Sequence, residues 1–237
     1  MNNSSFKYIA PKKPLGLYIH IPFCERKCLY CDFYSQKGSK KLYKEYVNAL
    51  IKQMEENKGA ASSYIVDSIY IGGGTPSVLP KGLFKKLVYA LRKNFNISKD
   101  CEFTVEVNPA SAGLALFKLL KKLKVNRLSV GVQSANDSEL KAIGRLHDFE
   151  GALKTIELIK KAKFENFGID IMYGLPGQTL DSFIETIEKV TEIAPSHISV
   201  YGLKLEEGTP LYDNRENLEL PDEDTEREMY FTAVRAL

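Results

Sequence analysis

The sequence lacks any apolar run that approaches 18 residues, and no apolar segment follows its polar start at residues 1–14. It therefore shows neither a membrane-spanning helix nor a secretory signal peptide, and we expect a cytoplasmic protein with reduced thiols. Cysteine is scarce, at four residues among 237. A domain of this size buries roughly 70–75% of its unfolded surface, so it does not need disulfides for stability. The four cysteines therefore need another explanation.

An excess of one charge is lacking as well. Lys and Arg total 33 against 30 Asp and Glu, a formal net charge of +3. This excess is too small to indicate a nucleic-acid partner, and we expect none. Hydrophobic residues make up 44% and charged residues 27%, with 16 Gly and 10 Pro. This composition excludes disordered, collagen-like and coiled-coil classes and leaves a globular domain.

Short apolar or β-branched runs, each ended by Gly, Pro or polar residues, predict six strands. They lie at Leu15–Ile21, Ser68–Ile71, Phe103–Val107, Leu128–Val130, Gly168–Met172 and His197–Tyr201. Between them, apolar residues recur with helical spacing and predict amphipathic helices around residues 42–50, 83–91, 116–120, 156–159 and 180–190. Alternating strands and helices form parallel sheets with right-handed crossovers, either a doubly wound open sheet or a barrel-like sheet. Both place ligands at the carboxyl ends of the strands.

Three of the four cysteines follow the first strand within eight residues, as Cys24, Cys28 and Cys31 with the spacing C-x3-C-x2-C. A disulfide would leave an odd thiol and requires an oxidising compartment. A tetrahedral zinc site needs a fourth ligand, for which His20 and Cys101 are the candidates. Three thiolates in a tight loop also suit an iron–sulfur cluster in which one iron has no protein ligand. That open iron is where a cofactor or substrate can coordinate.

Other strand ends carry polar or glycine residues as well. Gly72–Gly74 follows the second strand, where missing side chains allow a ligand to approach the backbone, although a simple turn is the commoner interpretation. Thr104, Glu106 and Asn108 alternate on one face of the third strand. A carboxylate there is costly unless paired, so Glu106 is either a ligand contact or half of a buried ion pair.

Several further residues have ordinary structural interpretations. Arg145 reads as a solvated charge at a helix end, and Gln133 as a polar strand cap. His147 and His197 are expected at the surface. Cys101 lies between two acidic residues in a polar turn and is expected to be a simple thiol.

The motifs together resemble the radical S-adenosylmethionine (SAM) superfamily, in the branch of the oxygen-independent coproporphyrinogen III oxidases and the radical SAM haem chaperones. The motif residues lie at 18–24, 72–76, 106–109, 129–134, 144–145 and 170–177, and the similarity runs from about Leu15 to Asp213. The resemblance implies an α/β fold, a partial (β/α)6 TIM-like barrel with parallel strands. In this family three cysteines hold a 4Fe-4S cluster and the fourth iron binds SAM, which the reduced cluster cleaves to a 5'-deoxyadenosyl radical.

The resemblance implies site residues by position. Cys24, Cys28 and Cys31 match the cluster ligands, and no catalytic residue is implied beyond the cluster. The positions that match SAM contacts are Tyr18, Gly73, Gly74, Thr75, Glu106, Gln133, Arg145 and Asp170, with Lys204 as a further match. In physical terms, Glu106 or Asp170 can accept ribose hydroxyls and Arg145 can pair with the methionine carboxylate.

Two features favour the haem chaperones over the oxidases. The oxidases resemble C-x3-C-x2-C-x-C, whereas Asp32 and Phe33 follow the third cysteine here, and only 17 residues precede Tyr18. The resemblance then implies that the protein binds haem and transfers it to haem-requiring proteins, with a flavodoxin-like or ferredoxin-like electron donor. Oxidative decarboxylation of coproporphyrinogen III is the first alternative, and an RNA-modifying radical SAM enzyme is the second.

The resemblance also implies a domain organisation. We expect an N-terminal extension at residues 1–14, the radical SAM partial barrel at 15–215, and the start of a truncated C-terminal helical region at 216–237. Both groups of the branch continue into a helical domain, and the chaperones' haem motif contains a tryptophan that this sequence lacks. We therefore expect a fragment, and haem binding is implied by the resemblance alone.

Overall fold

A computed structural model describes residues 12–237, and all six predicted strands are found in it. The strands are β1 (Lys13–Ile21), β2 (Phe23–Cys24), β3 (Gln36–Lys37), β4 (Tyr64–Gly73), β5 (Ile97–Val107), β6 (Arg127–Gln133), β7 (Phe167–Tyr173) and β8 (His197–Gly202). The predicted strands correspond to β1 and β4 to β8. Most of the expected N-terminal extension lies outside the described residues, and β1 already begins at Lys13.

The five predicted amphipathic helices are confirmed as α1, α2, α3, α5 and α6. The α-helices are α1 (Lys40–Asn57), α2 (Lys81–Asn94), α3 (Leu114–Lys122), α4 (Asp137–Ala142), α5 (Phe149–Lys161), α6 (Leu180–Glu192), α7 (Pro210–Asp213) and α8 (Glu223–Ala236). Short 3-10 helices cover Ala60–Ser63, Pro76–Val78, Pro109–Ser111 and Arg215–Asn217. Side-chain caps define several starts. Ser39 caps α1, Asp148 caps α5, and Thr179 forms a capping box with Ser182 at the start of α6.

The main sheet has the strand order β1-β4-β5-β6-β7-β8, and every neighbouring pair is parallel. A doubly wound sheet reverses its strand order at one point, and this order never reverses. Of the two folds that the sequence allowed, the barrel-like sheet is therefore the observed one. Within residues 12–237, β1 and β8 do not pair with each other. The sheet thus curls into an open half-barrel with six parallel strands.

The two faces of this sheet have different chemistry. Alternate strand residues pack outward against the helices and form the apolar core, for example Ile69, Ile71, Val105, Leu128, Val130, Ile169 and Ile171. The residues between them face the inside of the half-barrel and are mostly polar. They include Tyr70, Glu106, Ser129, Gln133 and Asp170. Parallel strands therefore place one polar residue after another on the concave face, where the candidate site lies.

Cys101 and one of the histidines lie elsewhere than the sequence predicts. Cys101 lies in β5 rather than in a free turn, and its side chain is buried. The cause is an irregular register, in which residues of β5 before Glu102 bulge out of the β4–β5 ladder. His147 is also buried instead of exposed, whereas His197 is exposed as expected. No helix within residues 12–237 combines the length and apolar character needed to cross a membrane.

Candidate functional site

A cavity of about 380 Å³ opens at the carboxyl ends of the strands, on the concave side of the half-barrel. Its lining includes eleven of the twelve residues that the resemblance implied: Cys24, Cys28, Cys31, Gly73, Gly74, Thr75, Glu106, Gln133, Arg145, Asp170 and Lys204. Tyr18 does not line it. A larger cavity of about 640 Å³ lies between β1 and α1, but it is lined mainly by apolar side chains and contains none of the cysteines. The chemistry of the lining, rather than the volume, therefore identifies the smaller cavity as the candidate site.

The cysteine loop is closed at its base and docked on two other elements. Cys24 ends β2, which pairs with β3, so the chain from Phe23 to Gln36 forms a closed loop. The backbone N–H of Leu29 donates to the carbonyl of Ile143 (3.1 Å), and the carbonyl of Leu29 accepts from the N–H of Leu211 (3.0 Å). The positions of the three thiols are thus fixed by elements far away in sequence.

Two of the three sulfurs accept hydrogen bonds from side chains that line the cavity. The Thr75 hydroxyl donates to Cys24 Sγ, and Arg145 Nη1 donates to Cys28 Sγ, both at 3.5 Å. Among residues 12–237, no three His, Cys, Asp or Glu side chains converge as the ligands of one metal ion do. The thiolates of a cluster bind different irons, so their sulfurs need not meet at one point.

The glycine turn at the end of β4 lies directly against β1 and the start of the cysteine loop. Gly73 has φ +111°, and a Cβ at this position would collide with the His20 ring. A Cβ at Gly74 would lie 2.7 Å from the Phe23 carbonyl oxygen. The N–H of Gly74 donates to Ile21, and the N–H of Thr75 donates to Phe23. A positive φ and close packing therefore require glycine at position 73, and close packing alone requires it at position 74.

Glu106, in β5, is hydrogen-bonded to this glycine turn. Its carboxylate accepts one hydrogen bond from the Tyr70 hydroxyl (2.8 Å) and one from the Gly73 N–H (3.0 Å). Its partners are thus a phenol and a peptide N–H rather than the buried cation that the sequence allowed as an alternative. Burial raises the pKa of Glu106, and the hydrogen bonds from Tyr70 and Gly73 oppose that rise.

A bulge at the end of β6 presents Gln133 to the cavity. The β6–β7 register shifts between Gly131 and Gln133, and Gln133 has φ +75°, which is unusual for a residue other than glycine. A Cβ at Gly131 would lie 2.8 Å from Gln133 Nε2, so glycine leaves space for this amide. Across the sheet, the Ser129 hydroxyl donates to Asp170 Oδ2 at 2.9 Å.

Arg145 lines the cavity and contacts the cysteine loop directly. Besides Cys28, its guanidinium donates to the carbonyl of Gly131. Its Nε is buried and has no hydrogen-bond partner among residues 12–237. Arg145 is therefore not a solvated helix-end charge, since its side chain points into the cavity with one donor unused. A buried donor without a partner is unfavourable unless a ligand supplies the acceptor.

Tyr18 lies beside the cavity rather than in its lining. Its side chain is 61% exposed, its hydroxyl is 3.1 Å from His20 Nδ1, and its ring stacks on Tyr70 at 6.1 Å between centroids. Tyr70, which the sequence analysis did not single out, does line the cavity. Strand alternation was the signal for it, because Tyr70 lies next to Tyr18 in the β1–β4 register and shares the inner face.

His147 packs against the end of β6, next to the bulge that presents Gln133. It is 8% exposed, and its Nε2 lies 3.2 Å from the carbonyl oxygen of Val132, the residue before Gln133. Burial, with a smaller contribution from nearby Arg145, lowers the pKa of His147 to about 4. The imidazole is therefore neutral at neutral pH. It ties the segment after α4 to the end of β6.

The donors and acceptors of the cavity fit a 4Fe-4S cluster with SAM. Three thiols lie on one side, and two of them already accept hydrogen bonds. The carboxylates of Glu106 and Asp170 offer acceptors for hydroxyl or ammonium groups, while Arg145 has a free buried donor for a carboxylate. A small molecule that carries an amino group, a carboxylate and a ribose finds a complementary group for each.

Comparisons with known proteins agree with this geometry. The family profile of the radical SAM superfamily matches residues 18–190. The heme chaperone HemW of Buchnera aphidicola (subsp. Schizaphis graminum) is 42% identical over 206 residues, which cover 86% of this chain and 54% of the relative. The heme chaperone HemW of Bacillus subtilis is 39% identical, with 90% and 57% covered.

The solved structure of coproporphyrinogen III oxidase (HemN) from Escherichia coli, described as a radical SAM enzyme, superposes with a TM-score of 0.86 at 28% identity. The match covers 94% of this chain and 52% of that one. The chain spans about half the length of the curated relatives it matches. Fold, motif positions and the family match over residues 18–190 lead to one conclusion: the chain belongs to the radical SAM superfamily.

Proposed function

We propose that Cys24, Cys28 and Cys31 hold three irons of a 4Fe-4S cluster and that the adjoining cavity binds SAM. The observation that carries this proposal is the convergence of three thiols, a glycine turn and the unpaired donor of Arg145 on one cavity. When bound, the cluster and SAM supply reductive cleavage of the SAM sulfonium. The protein contributes the positions of the ligands and a pocket that limits access of water.

Each lining residue has a role that its surroundings support. The Gly73–Thr75 turn brings its backbone close to the ligand, so it suits the amino group of the SAM methionine. Arg145 suits the methionine carboxylate, because its Nε has no hydrogen-bond partner in the described part of the chain. Glu106 and Asp170 suit the ribose hydroxyls, and Gln133 can donate and accept in the same region.

Tyr18 and Lys204 have weaker structural support. Tyr18 lies outside the lining. It stacks on Tyr70, which does line the cavity, and so lies at the cavity edge. Lys204 lines the cavity, but its ammonium pairs with Glu206 at 2.7 Å and its side chain is 80% exposed. We propose that both contact SAM only at the rim of the site.

For the whole protein we propose a haem chaperone, which binds haem and passes it to haem-requiring proteins, with a flavodoxin-like or ferredoxin-like protein as electron donor. The two heme chaperone relatives, at 42% and 39% identity, support this choice. So does the Asp32–Phe33 pair after Cys31, where the oxidases have a further cysteine. We propose residues 15–215 as the radical SAM barrel and residues 216–237 as the start of a helical region that includes α8.

Coproporphyrinogen III oxidase is the second candidate function. The solved oxidase supports it with a TM-score of 0.86 over 94% of this chain. Phe33, in place of the extra cysteine, counts against it. The two candidates share the cluster and SAM, so they differ only in what the protein does with porphyrin.

Anaerobic reconstitution with iron and sulfide tests the cofactor proposal. We expect about four irons per chain by metal analysis and an EPR signal on reduction that changes when SAM is added. Cys24→Ala should lose the cluster. Cys101→Ala is the matched control, because Cys101 is a buried thiol in β5, and it should keep the iron content. One zinc and no iron in the wild-type chain would refute the proposal.

A pair of assays on the full-length protein separates the two functions. Haem titration followed by absorption should show stoichiometric binding, and transfer to an apo-haemoprotein should restore its spectrum. Incubation with coproporphyrinogen III, SAM and a reductant should give no vinyl product. Decarboxylated product, with no haem binding, would favour the oxidase instead.

A further inference from the structure

Glu139 in α4 is a buried carboxylate, and no cation among residues 12–237 forms an ion pair with it. Its side chain is 1% exposed and accepts three hydrogen bonds. Its Oε2 accepts from the Ser134 hydroxyl (2.6 Å) and from Gln178 Nε2 (2.9 Å), and its Oε1 accepts from the Ser182 hydroxyl (2.6 Å). Burying a charge is costly unless hydrogen bonds compensate it, so this arrangement calls for an explanation.

The three donors come from three different segments. Ser134 directly follows β6 and Gln133, and Ser182 lies in the first turn of α6. Gln178 lies in the loop between β7 and α6, where its Oε1 accepts from the Leu175 N–H and its Nε2 also donates to the carbonyl of Met172. Glu139 therefore joins α4 to the carboxyl ends of β6 and β7 and to the start of α6.

The other end of α4 holds the cysteine loop. The Ile143 carbonyl accepts from the Leu29 N–H, and the Gly144 carbonyl accepts from Arg26 Nη2 at 2.9 Å. A Cβ at Gly144 would lie 2.7 Å from Leu29 Cγ, so the loop packs closely on this turn. Arg145, which donates to Cys28, comes next. A shift of α4 would thus move the cysteine loop and the guanidinium together.

We infer that Glu139 is a positioning residue for the cofactor cavity. It anchors α4, and through α4 it sets the positions of Arg145 and the cysteine loop, while through Ser134 it holds the bulge that presents Gln133. Three hydrogen bonds to one carboxylate fix the orientation of α4. Apolar packing of the same volume would not fix it. The inference rests on the proposed function, since it concerns the binding of the cluster and SAM.

The test compares reconstituted wild-type protein with Glu139→Ala, Glu139→Gln and Val190→Ala. Val190 is fully buried in α6 and lies outside the cavity lining, so Val190→Ala controls for general loss of stability. Glu139→Ala should weaken SAM binding at least about tenfold, because a displaced Arg145 would lose one charged hydrogen bond to SAM, and it should broaden the EPR signal of the SAM-bound cluster. Val190→Ala should change neither measurement.

Glu139→Gln should restore SAM binding to within about threefold of wild type, since an amide oxygen can accept from Ser134 and Gln178 and an amide N–H can donate to the Ser182 hydroxyl.

If Glu139→Ala does not fold, Gln178→Met replaces it. This variant removes one of the three donors to Glu139, and it too should weaken SAM binding. SAM affinity and an EPR signal equal to wild type in the folded alanine or methionine variant would overturn the inference. Equal losses in Val190→Ala would overturn it too. Failure of the wild-type chain to bind a cluster would instead refute the proposed function.

Discussion

Arg145 donates a hydrogen bond to the sulfur of Cys28 across 3.5 Å, although 117 positions separate the two residues in the chain. The contact links the helical turn after α4 to the cysteine loop. Arg145 also lines the cavity, and its buried Nε has no hydrogen-bond partner among residues 12–237. The proposed function gives this guanidinium two roles, toward a cluster ligand and toward an anionic group of SAM.

Replacement of Arg145 by lysine tests this double role. Lysine keeps the charge but not the fork of donors, so Arg145→Lys should weaken SAM binding by about ten- to a hundredfold, which corresponds to about 1.5–3 kcal/mol for a hydrogen bond to a charged group. Isothermal titration with reconstituted protein measures the change. Arg92→Lys, whose guanidinium donates to the carbonyl of Leu123, is the control. Unchanged affinity in Arg145→Lys would show that the guanidinium does not touch SAM.

The glycine turn gives a prediction about stability. Gly73→Ala should lower the free energy of unfolding by about 1–3 kcal/mol, because φ is +111° and the new methyl group would collide with the His20 ring. Gly82→Ala is the matched control, since Gly82 lies in α2 and an added Cβ would meet no atom within 4 Å. It should leave stability equal or raise it by about 0.5–1 kcal/mol. Urea unfolding of both variants checks this, and equal effects at the two positions would contradict the conformation assigned to Gly73.

His147 gives a prediction about pH. Its pKa is lowered to about 4 in the folded protein, so between pH 6.5 and 4 the unfolded chain binds more protons than the folded chain. Stability should therefore fall as pH falls through this window, by up to about 1.4 kcal/mol per pH unit from this residue. His147→Gln should remove that part of the slope in urea unfolding of the cluster-free chain. The exposed His197→Gln should keep it, and a slope that persists in His147→Gln would assign the effect to other groups.

The carboxylate of Asp170 gives a fourth prediction. Asp170→Asn should weaken SAM binding by about five- to thirtyfold, because one acceptor of the cavity becomes a donor, a change of about 1–2 kcal/mol. Ser129→Ala should have a smaller effect, since it removes only the hydroxyl that donates to Asp170. Asp67→Asn on the exposed part of β4 is the control and should bind like wild type. If Asp170→Asn also binds like wild type, Asp170 does not contact the ligand.

Much of this architecture could be predicted from the sequence because short-range patterns carry it. Side chains alternate between the two faces of a strand, so Ile69 and Ile71 point to one face and Tyr70 to the other. This alternation already identifies the inner face from the sequence. The cysteine spacing predicts a thiolate loop, and its place after β1 predicts which end of the sheet carries it. Of the implied positions, only Tyr18 falls outside the cavity lining.

What the sequence could not predict depends on contacts between distant segments. Glu139 reads as one more acidic residue in a short polar helix, and only the fold brings Gln178 and Ser182 to it. His147 follows Arg145 and Leu146 in a polar-looking turn, yet the docking of that turn on β6 buries it. Cys101 reads as part of a turn because the extra residues of β5 have no local signature.

The alternation of side chains along β6 limits which changes of sequence this strand can accept. Ser129, Gly131 and Gln133 face the cavity while Leu128, Val130 and Val132 fill the core, so deletion of a single strand residue would exchange the two sets. Ligand binding and core packing would then be lost in one step. Strands built in this way tolerate replacement of a side chain better than the loss of a residue from between two bulges.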